Sequence, residues 1–345
     1  MRLARTGVEA AERLGDPAAL AYALEGYWVG SEGPDTAEEL LGIAKRLISL
    51  AEQIGDKEIV FGAREHRINT YLSVGDRAAV DAEMDVLRSL AADLGQAPQH
   101  WSVGTTDTML ALMEGRFEEA ERLIAATVAI GRRAESWNAL VTERLAQFVL
   151  RREQGRLAEL EDTIARSVHD YPTLLRFTCA LAHLYAEIGR ERDARAVLED
   201  LLSRDLEHEH VDAEWLFSMN LLADPSASLA SDEGVEKLYS LLLPYENRYG
   251  AAPVEATFGS VGRALGALAT RLGRFDDAER HFELGLEVER RMRARPWIAH
   301  SRHDLAAMLL QRGDRERARE PLAEALATYR ELGMETWAER AEALT

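Results

Sequence analysis

Cysteine is nearly absent from this chain: Cys179 is the only one in 345 residues. A single thiol excludes an intramolecular disulfide and any multi-cysteine metal site, and it fits a reducing cytoplasm. No apolar run approaches the ~18 residues of a membrane span, and Met1 to Gly7 leads into a charged helical pattern, not the apolar core of a signal peptide. Basic charge is also short, with 41 Lys and Arg against 60 Asp and Glu and a formal net charge of -19. Affinity for nucleic acid comes largely from neutralising phosphates with cations, so direct nucleic-acid binding is not expected outside a local basic groove. Strand-like alternation of β-branched residues is missing. So are the phosphate loop, the Gly-x-Gly-x-x-Gly fingerprint, the His-Glu-x-x-His helix and the Ser-centred nucleophile elbow. The expectation is a non-enzymatic protein without cofactor or metal.

What the chain does have is a returning phrase. It reads Gly75-Asp76-Arg77-Ala78-Ala79-Val80, then Gly115-Arg116-Phe117-Glu118-Glu119-Ala120, and comes back at Gly155, Gly189, Gly273 and Gly313. Those glycines lie 40, 40, 34, 84 and 40 residues apart, and 84 is close to two periods with one marker missing. Self-similarity at such a period means stacked supersecondary units. Each unit reads as helix, tight turn, helix, because glycine adopts the left-handed conformation that closes a helix. The residue five positions on (Val80, Ala120, Leu160, Ala194, Ala278 or Ala318) should face the preceding helix. One turn further, Met84, Ile124, Ile164, Leu198, Phe282 and Leu322 continue a buried stripe.

A second punctuation, Leu14-Gly15-Asp16-Pro17 and Ile54-Gly55-Asp56-Lys57, separates one helix pair from the next. First helices are expected over 17–30, 57–74, 98–114, 135–154, 172–188, 210–223, 254–272 and 296–312. Their partners are expected over 36–54, 76–94, 117–133, 156–170, 191–204, 232–248, 275–293 and 315–332, giving eight hairpins. The pattern loosens at 203–234, where Asp224 to Ser231 reads as an enlarged loop in a degenerate repeat, with a domain boundary as the competing reading. Residues 1–14 read as the second helix of a hairpin lacking its first, and Trp337–Leu344 as a final half-repeat. The chain is therefore expected either to be a piece of a longer protein or to use helix 1–14 as its cap. Pro321, eight residues after Gly313, should delay or kink its helix.

Gly273-Arg274-Phe275-Asp276-Asp277-Ala278-Glu279 resembles the inter-helix turn of tetratricopeptide (TPR) repeats. Arg295-Pro296-Trp297 to Arg302, Asp304-Leu305-Ala306, Leu309 to Asp314 and Ala325 to Met334 resemble the TPR tail of bacterial multidomain regulators. These include signal-transducing ATPases, LuxR-type transcriptional activators and nucleotide cyclases. The resemblance implies an all-α fold, residues 1–345 forming one TPR-like α-solenoid of about eight antiparallel hairpins in a right-handed superhelix. It also implies a scaffold or sensor role. With no phosphate loop and no helix-turn-helix in this stretch, ATPase, cyclase and promoter-binding activities are not carried over.

Aligned by repeat, Arg64, Arg144 and Arg302 fall eleven residues before a marker glycine, and Arg263 falls ten before Gly273. In stacked hairpins such positions line up, so these guanidiniums are candidates for capturing carboxylate or phosphate on the concave face. The alternative is that each pairs with an acid of an adjoining hairpin. Glu207-His208-Glu209-His210-Val211-Asp212 holds metal-ligand chemistry but reads as a solvated acidic loop. His300 and His303 read as helix-surface histidines, and Cys179 as a core residue. Of Trp28, Trp101, Trp137, Trp215 and Trp297, at least three should be packing. The functional expectation is a cytoplasmic arm that binds a protein or peptide partner, or a small anionic effector, along the concave face of an open rod. A stand-alone adaptor is the alternative, and a metal-dependent or hydrolytic enzyme a third class.

Overall fold

A computed structural model describes residues 2–134, 138–208, 211–252 and 255–345, the Arg2 side chain excepted. The chain is an all-α, TPR-like solenoid built from helical hairpins. A helix α1 (Arg2–Leu14) precedes them. The hairpins are α2 (Pro17–Val29) with α3 (Ala37–Ile54), α4 (Lys57–Val74) with α5 (Arg77–Leu94), and α6 (Ala97–Glu114) with α7 (Phe117–Arg133). Next come α8 (Asn138–Glu153) with α9 (Glu161–Asp170), α10 (Leu175–Glu187) with α11 (Glu191–Ser203), and α12 (Trp215–Leu229) with α13 (Asp232–Leu242). Then follow α14 (Val261–Arg271) with α15 (Phe275–Met292), α16 (Arg295–Arg312) with α17 (Arg315–Glu331), and the short α18 (Glu335–Glu342). Among the described residues no helix is long and apolar enough to cross a membrane.

The punctuation works as its chemistry requires. Gly75 takes φ 74° and donates to Leu72 O while Asp76 N donates to Tyr71 O, closing α4 in a Schellman arrangement. Where aspartate follows the glycine it caps the next helix, as Asp56 does for Glu58 N and Ile59 N and Asp76 for Ala79 N. Where arginine follows, that cap is lost and the guanidinium ties the turn instead, Arg274 to Glu236 and Arg190 to Asp193. Val80, Ala120, Ala194, Ala278 and Ala318 are buried, as are all six residues of the next turn. Pro321 does not delay its helix, because α17 runs through it.

Two expectations fail between residues 203 and 260. Asp224 to Leu229 is the end of helix α12 and not a loop; Pro225 is built into it, and the irregular stretch lies before it, between α11 and Trp215. Where a helix was expected from 254, the chain makes a hairpin of β1 (Tyr249–Ala252) and β2 (Ala256–Ser260), antiparallel, with Tyr249 opposite Ser260 and Ala252 opposite Ala256. Every residue of both strands is buried, so neither carries the alternation that betrays a half-exposed strand.

That hairpin closes the superhelix. β1 packs on α4 and α12, and β2 on α8, α12, α14 and α15, so the hollow of the rod is filled. The last repeats curl back over the turns of the first ones. Arg77 at the start of α5 donates to Met292 O, Gly115 meets Leu332, Gly155 meets Thr336, and Trp337 Nε1 donates to Arg152 O at 3.2 Å. An open, curved rod is thus corrected to a closed one with its own polypeptide inside.

Gly259 is a tight point of this plug: its φ is 72°, and a Cβ there would lie 2.6 Å from the Trp297 ring. Gly259→Ala should cost about 2–4 kcal/mol, combining left-handed strain with overpacking. Gly313→Ala, at φ 92° but facing open space, should cost only about 1 kcal/mol. Urea unfolding midpoints check this; equal losses would mean that the hairpin does not seat on Trp297.

Candidate functional site

With the centre occupied, each predicted site residue has a definite place. Arg64 on α4 pairs with Glu83 at 2.9 Å and lies 3.7 Å from Glu52. Arg144 on α8 donates to Ser167 at 3.0 Å, reaches Asp170 at 3.4 Å and lies over the Tyr171 ring. Arg263 on α14 is buried between Asp224 at 3.0 Å and Asp304 at 2.8 Å. Arg302 on α16 pairs with Glu324 at 2.8 Å. All four pair with acids of this chain, but only Arg64, through Glu52, and Arg263, through Asp224 and Asp304, reach an adjoining hairpin as the alternative expected; Arg144 and Arg302 pair within their own. Three of them reach an acid on the second helix of their own hairpin, which explains why the position repeats.

The other candidates divide between core and surface. Trp28, Trp215 and Trp297 are buried; Trp28 stacks on His66 at 5.2 Å, and Trp215 Nε1 donates to Leu206 O. Trp137 lies outside the described residues, as do Glu209 and His210. His208 is exposed and bonded to Asp205, whose hydrogen bond raises its pKa. Among the described residues no three such side chains gather as metal ligands. Cys179 is fully buried and its thiol pKa is pushed up by that burial, as a core residue requires. His300 corrects the surface reading: it is 1% exposed, bonded to Glu153 Oε2 at 2.8 Å and to the Tyr329 hydroxyl at 2.9 Å.

His300 belongs to a polar network that sequence reasoning missed. At its centre is Arg152, buried, bonded to Glu153 at 2.6 Å and to His183 Nε2 at 3.2 Å, and surrounded by the rings of Phe258, Trp297 and Trp337 at 5.0, 5.0 and 4.6 Å. Burial alone would raise Glu153, but Arg152 and His300 outweigh it and hold the carboxyl down to about 2. Asp224 is half-buried; desolvation would raise it, but Arg263, His183 and Arg152 hold it at about 2. Glu289 is the opposite case. Hydrogen bonds from the Ser260 and Ser301 hydroxyls at 2.7 Å do not offset its burial, which lifts it to about 7. Arg152, Glu153, His300 and Glu289 are each no more than 1% exposed.

The surface that stays open lies at the other end of the first helices. A groove of about 590 Å³ runs across α2, α4 and α6. Its acidic lining is Glu25, Asp56, Glu58 and Glu65, its apolar floor includes Phe61 and Ile59, and Trp101 flanks it. No lysine or arginine is among the described residues that line it. Two of these acids come from the start of α4, Asp56 as its cap and Glu58 in its first turn, while Glu25 and Glu65 lie further along α2 and α4. Burial raises Glu65, whose Oε1 accepts from Ser102 at 2.6 Å, and lowers His66 to about 4, so His66 adds no positive charge near neutrality. Trp101 was legible as one of the candidate anchors. The acids were not, since scattered Glu in an acidic chain carries no signal until stacking aligns them.

Comparison with known proteins bears on the architecture. Residues 260–331, covering α14 to α17, match the tetratricopeptide repeat family. Among solved structures, the crystal structure of MamA is similar over 52% of this chain and 93% of its own, at 14% identity and a TM-score of 0.29. The fold assignment rests on the hairpins themselves and on the repeat match, not on that likeness. Among curated proteins none matches this sequence.

Glu289 gives the network a pH signature. Its folded pKa of about 7 exceeds the ordinary 4.5, so the stability it contributes is full below about pH 4.5 and lost as pH rises through about 7. Glu153 and Asp224 have the opposite sign, and their contribution falls away as pH drops from about 4 to about 2. Glu289→Gln removes the titrating group, its amide oxygen accepting from one serine hydroxyl and its NH2 donating to the other. It should flatten the decline between pH 5 and 7 and gain about 3 kcal/mol at pH 8 over the parent, read from urea unfolding across pH; a slope identical to the parent's would remove Glu289 as its source.

Proposed function

We propose that this chain is a non-enzymatic, protein-binding scaffold whose α2–α4–α6 groove takes a basic, extended or helical segment of a partner protein. TPR repeats are in general surfaces for holding other proteins, built from stacked hairpins that offer long continuous faces. The observation that carries the reading is the groove's one-sided chemistry. Four carboxylates surround an apolar floor beside a half-buried tryptophan, while the rest of the superhelix interior is filled by β1 and β2. A peptide with Lys or Arg flanking an apolar anchor would satisfy both features, the tryptophan supplying contact area and the carboxylates register and on-rate. Arg64, Arg144, Arg263 and Arg302 then serve to hold hairpins in place and not to capture an effector. That the scaffold is the sensing arm of a bacterial cytoplasmic regulator rests on the resemblance of Arg295 to Met334 to regulator tails, and a stand-alone adaptor would use the same groove.

Selection of the full chain against a displayed random peptide library tests this. Enriched peptides should be basic with one large apolar residue, and binding should weaken steeply with salt. Glu25→Lys with Glu58→Lys should abolish it, and Trp101→Ala should weaken it about 10- to 100-fold. Enrichment of acidic or uncharged peptides, or binding indifferent to both variants, would overturn the reading.

A further inference from the structure

Beyond Glu65 the face of α4 that lines the acidic groove continues. Phe61, Glu65, Asn69 and Ser73 recur every four residues, so they follow one another along the helix at about 6 Å per step. The first two line the groove and the last two line a separate small cavity. The segment from α2 to α3, the approach to α12 and strand β1 supply its other walls. Its volume is about 30 Å³, room for a water-sized group and little more. Glu32, Asn69, Ser73 and Asp212 are its polar lining, and Leu40 and Leu216 are apolar. Asp212 is exposed and the other three polar residues are half-buried, so the cavity meets solvent along its polar side.

The charge in this cavity is one-sided. No lysine or arginine is among the described residues that line it. Burial lifts the Glu32 carboxyl to about 7 despite the Asn69 and Trp28 donors beside it, and the nearby acids Asp212 and Glu65 add to the rise. Asn69 Oδ1 is itself buried without a hydrogen-bond partner. A buried acceptor left unpaired and a carboxylate drawn out of water without a cation both cost stability. A primary ammonium answers both, because it puts one positive charge and three donors into a water-sized head. Those donors match Glu32, Asn69 Oδ1 and the Ser73 hydroxyl, while the methylenes of its stem lie against Leu40 and Leu216. A guanidinium is a rigid plane of four heavy atoms and does not fit the same volume. A metal ion finds too few ligands, since among the described residues no three His, Cys, Asp or Glu side chains gather to hold one.

We propose that this cavity is a lysine pocket: it takes the ε-ammonium of one lysine in the segment that occupies the acidic groove, and it rejects arginine on size. The lysine as source rests on the groove reading above, whereas the preference for a primary ammonium rests on the cavity alone. The groove then accepts basic residues of either kind, and the pocket fixes which position of the partner must be lysine.

Two probes test the cavity directly: n-butylammonium, which copies the end of a lysine side chain, and n-butylguanidinium. Each is added to the full chain while the indole N–H signal of Trp28, beside Glu32, is followed by NMR, with Trp28→Phe identifying the signal. Butylammonium should shift it saturably, butylguanidinium at least tenfold more weakly, and sodium chloride at equal concentration not at all. Glu32→Gln should abolish the butylammonium response, and Asn69→Ala should weaken it about tenfold. The second arm takes a basic peptide selected on the groove and replaces its lysines by arginine one at a time. Affinity should fall at least tenfold at one position only, and that loss should vanish in Glu32→Gln. A chain that binds butylammonium but no basic peptide overturns the lysine source and leaves a free primary amine as the ligand. A chain that binds the peptide, tolerates arginine at every position and gives no butylammonium response keeps the groove and overturns the pocket. Equal responses to ammonium, guanidinium and sodium would mean a general ionic effect and overturn it as well.

Discussion

One buried guanidinium joins the two halves of the molecule. Arg152, at the end of α8, touches α10 through His183, its neighbour Glu153, β2 through the Phe258 ring, α16 through His300 and Trp297, and α18 through Trp337, while its Nη2 lies 3.8 Å from Asp224 on α12. A charge taken out of water is tolerated only where hydrogen bonds, opposite charges and aromatic faces replace its hydration. All three are present here, supplied by elements up to 185 residues away in sequence. Removing one partner would leave an uncompensated buried charge, so the surrounding elements are held together as a set.

This changes what kind of solenoid the chain is. In an open repeat array each unit touches only its neighbours, and stability is a sum of local terms. Here Arg77 reaches Met292, Arg293 reaches Asp81, and Arg340 reaches Glu187. Contacts between distant repeats couple their unfolding, so the closed part behaves more like a single globule than like a stack. Whereas α4 and α5 already belong to the largest core, the first hairpin, α2 with α3, contributes smaller separate clusters such as Ala21, Leu24, Leu47 and Ile48. That is where an open first-helix surface survives.

Closure also sorts the charges. Inside, several acids and bases are matched, Arg263 with Asp224 and Asp304, Arg152 with Glu153, Arg176 with Glu255, while Glu289 is held by serine hydroxyls instead. The α2–α4–α6 groove presents carboxylates without a basic neighbour along its lining. A chain with net charge -19 therefore does not expose that charge evenly.

The sequence alone determined the local architecture. Marker glycines need the left-handed conformation, a small residue five positions on lets two helices approach, and aspartate caps the next helix. Such rules act over a few residues and are legible in any one copy of the repeat. From them came the eight hairpins, most helix bounds, the core role of Cys179 and the expectation that at least three of five tryptophans pack; which three, Trp28, Trp215 and Trp297 among them, only the structure decided. Tertiary structure decided everything that depends on residues meeting across repeats. The β1–β2 plug was illegible because strands buried on both faces show no alternation, and His300 read as a surface residue because Glu153 and Tyr329 reach it only after closure. The acidic groove had no local signature either, since Glu25, Glu58 and Glu65 become one surface only when α2, α4 and α6 stack. Short-range backbone preferences are written residue by residue, whereas curvature, closure and the pooling of charge are set by the summed small rotations between hairpins, which no single segment encodes.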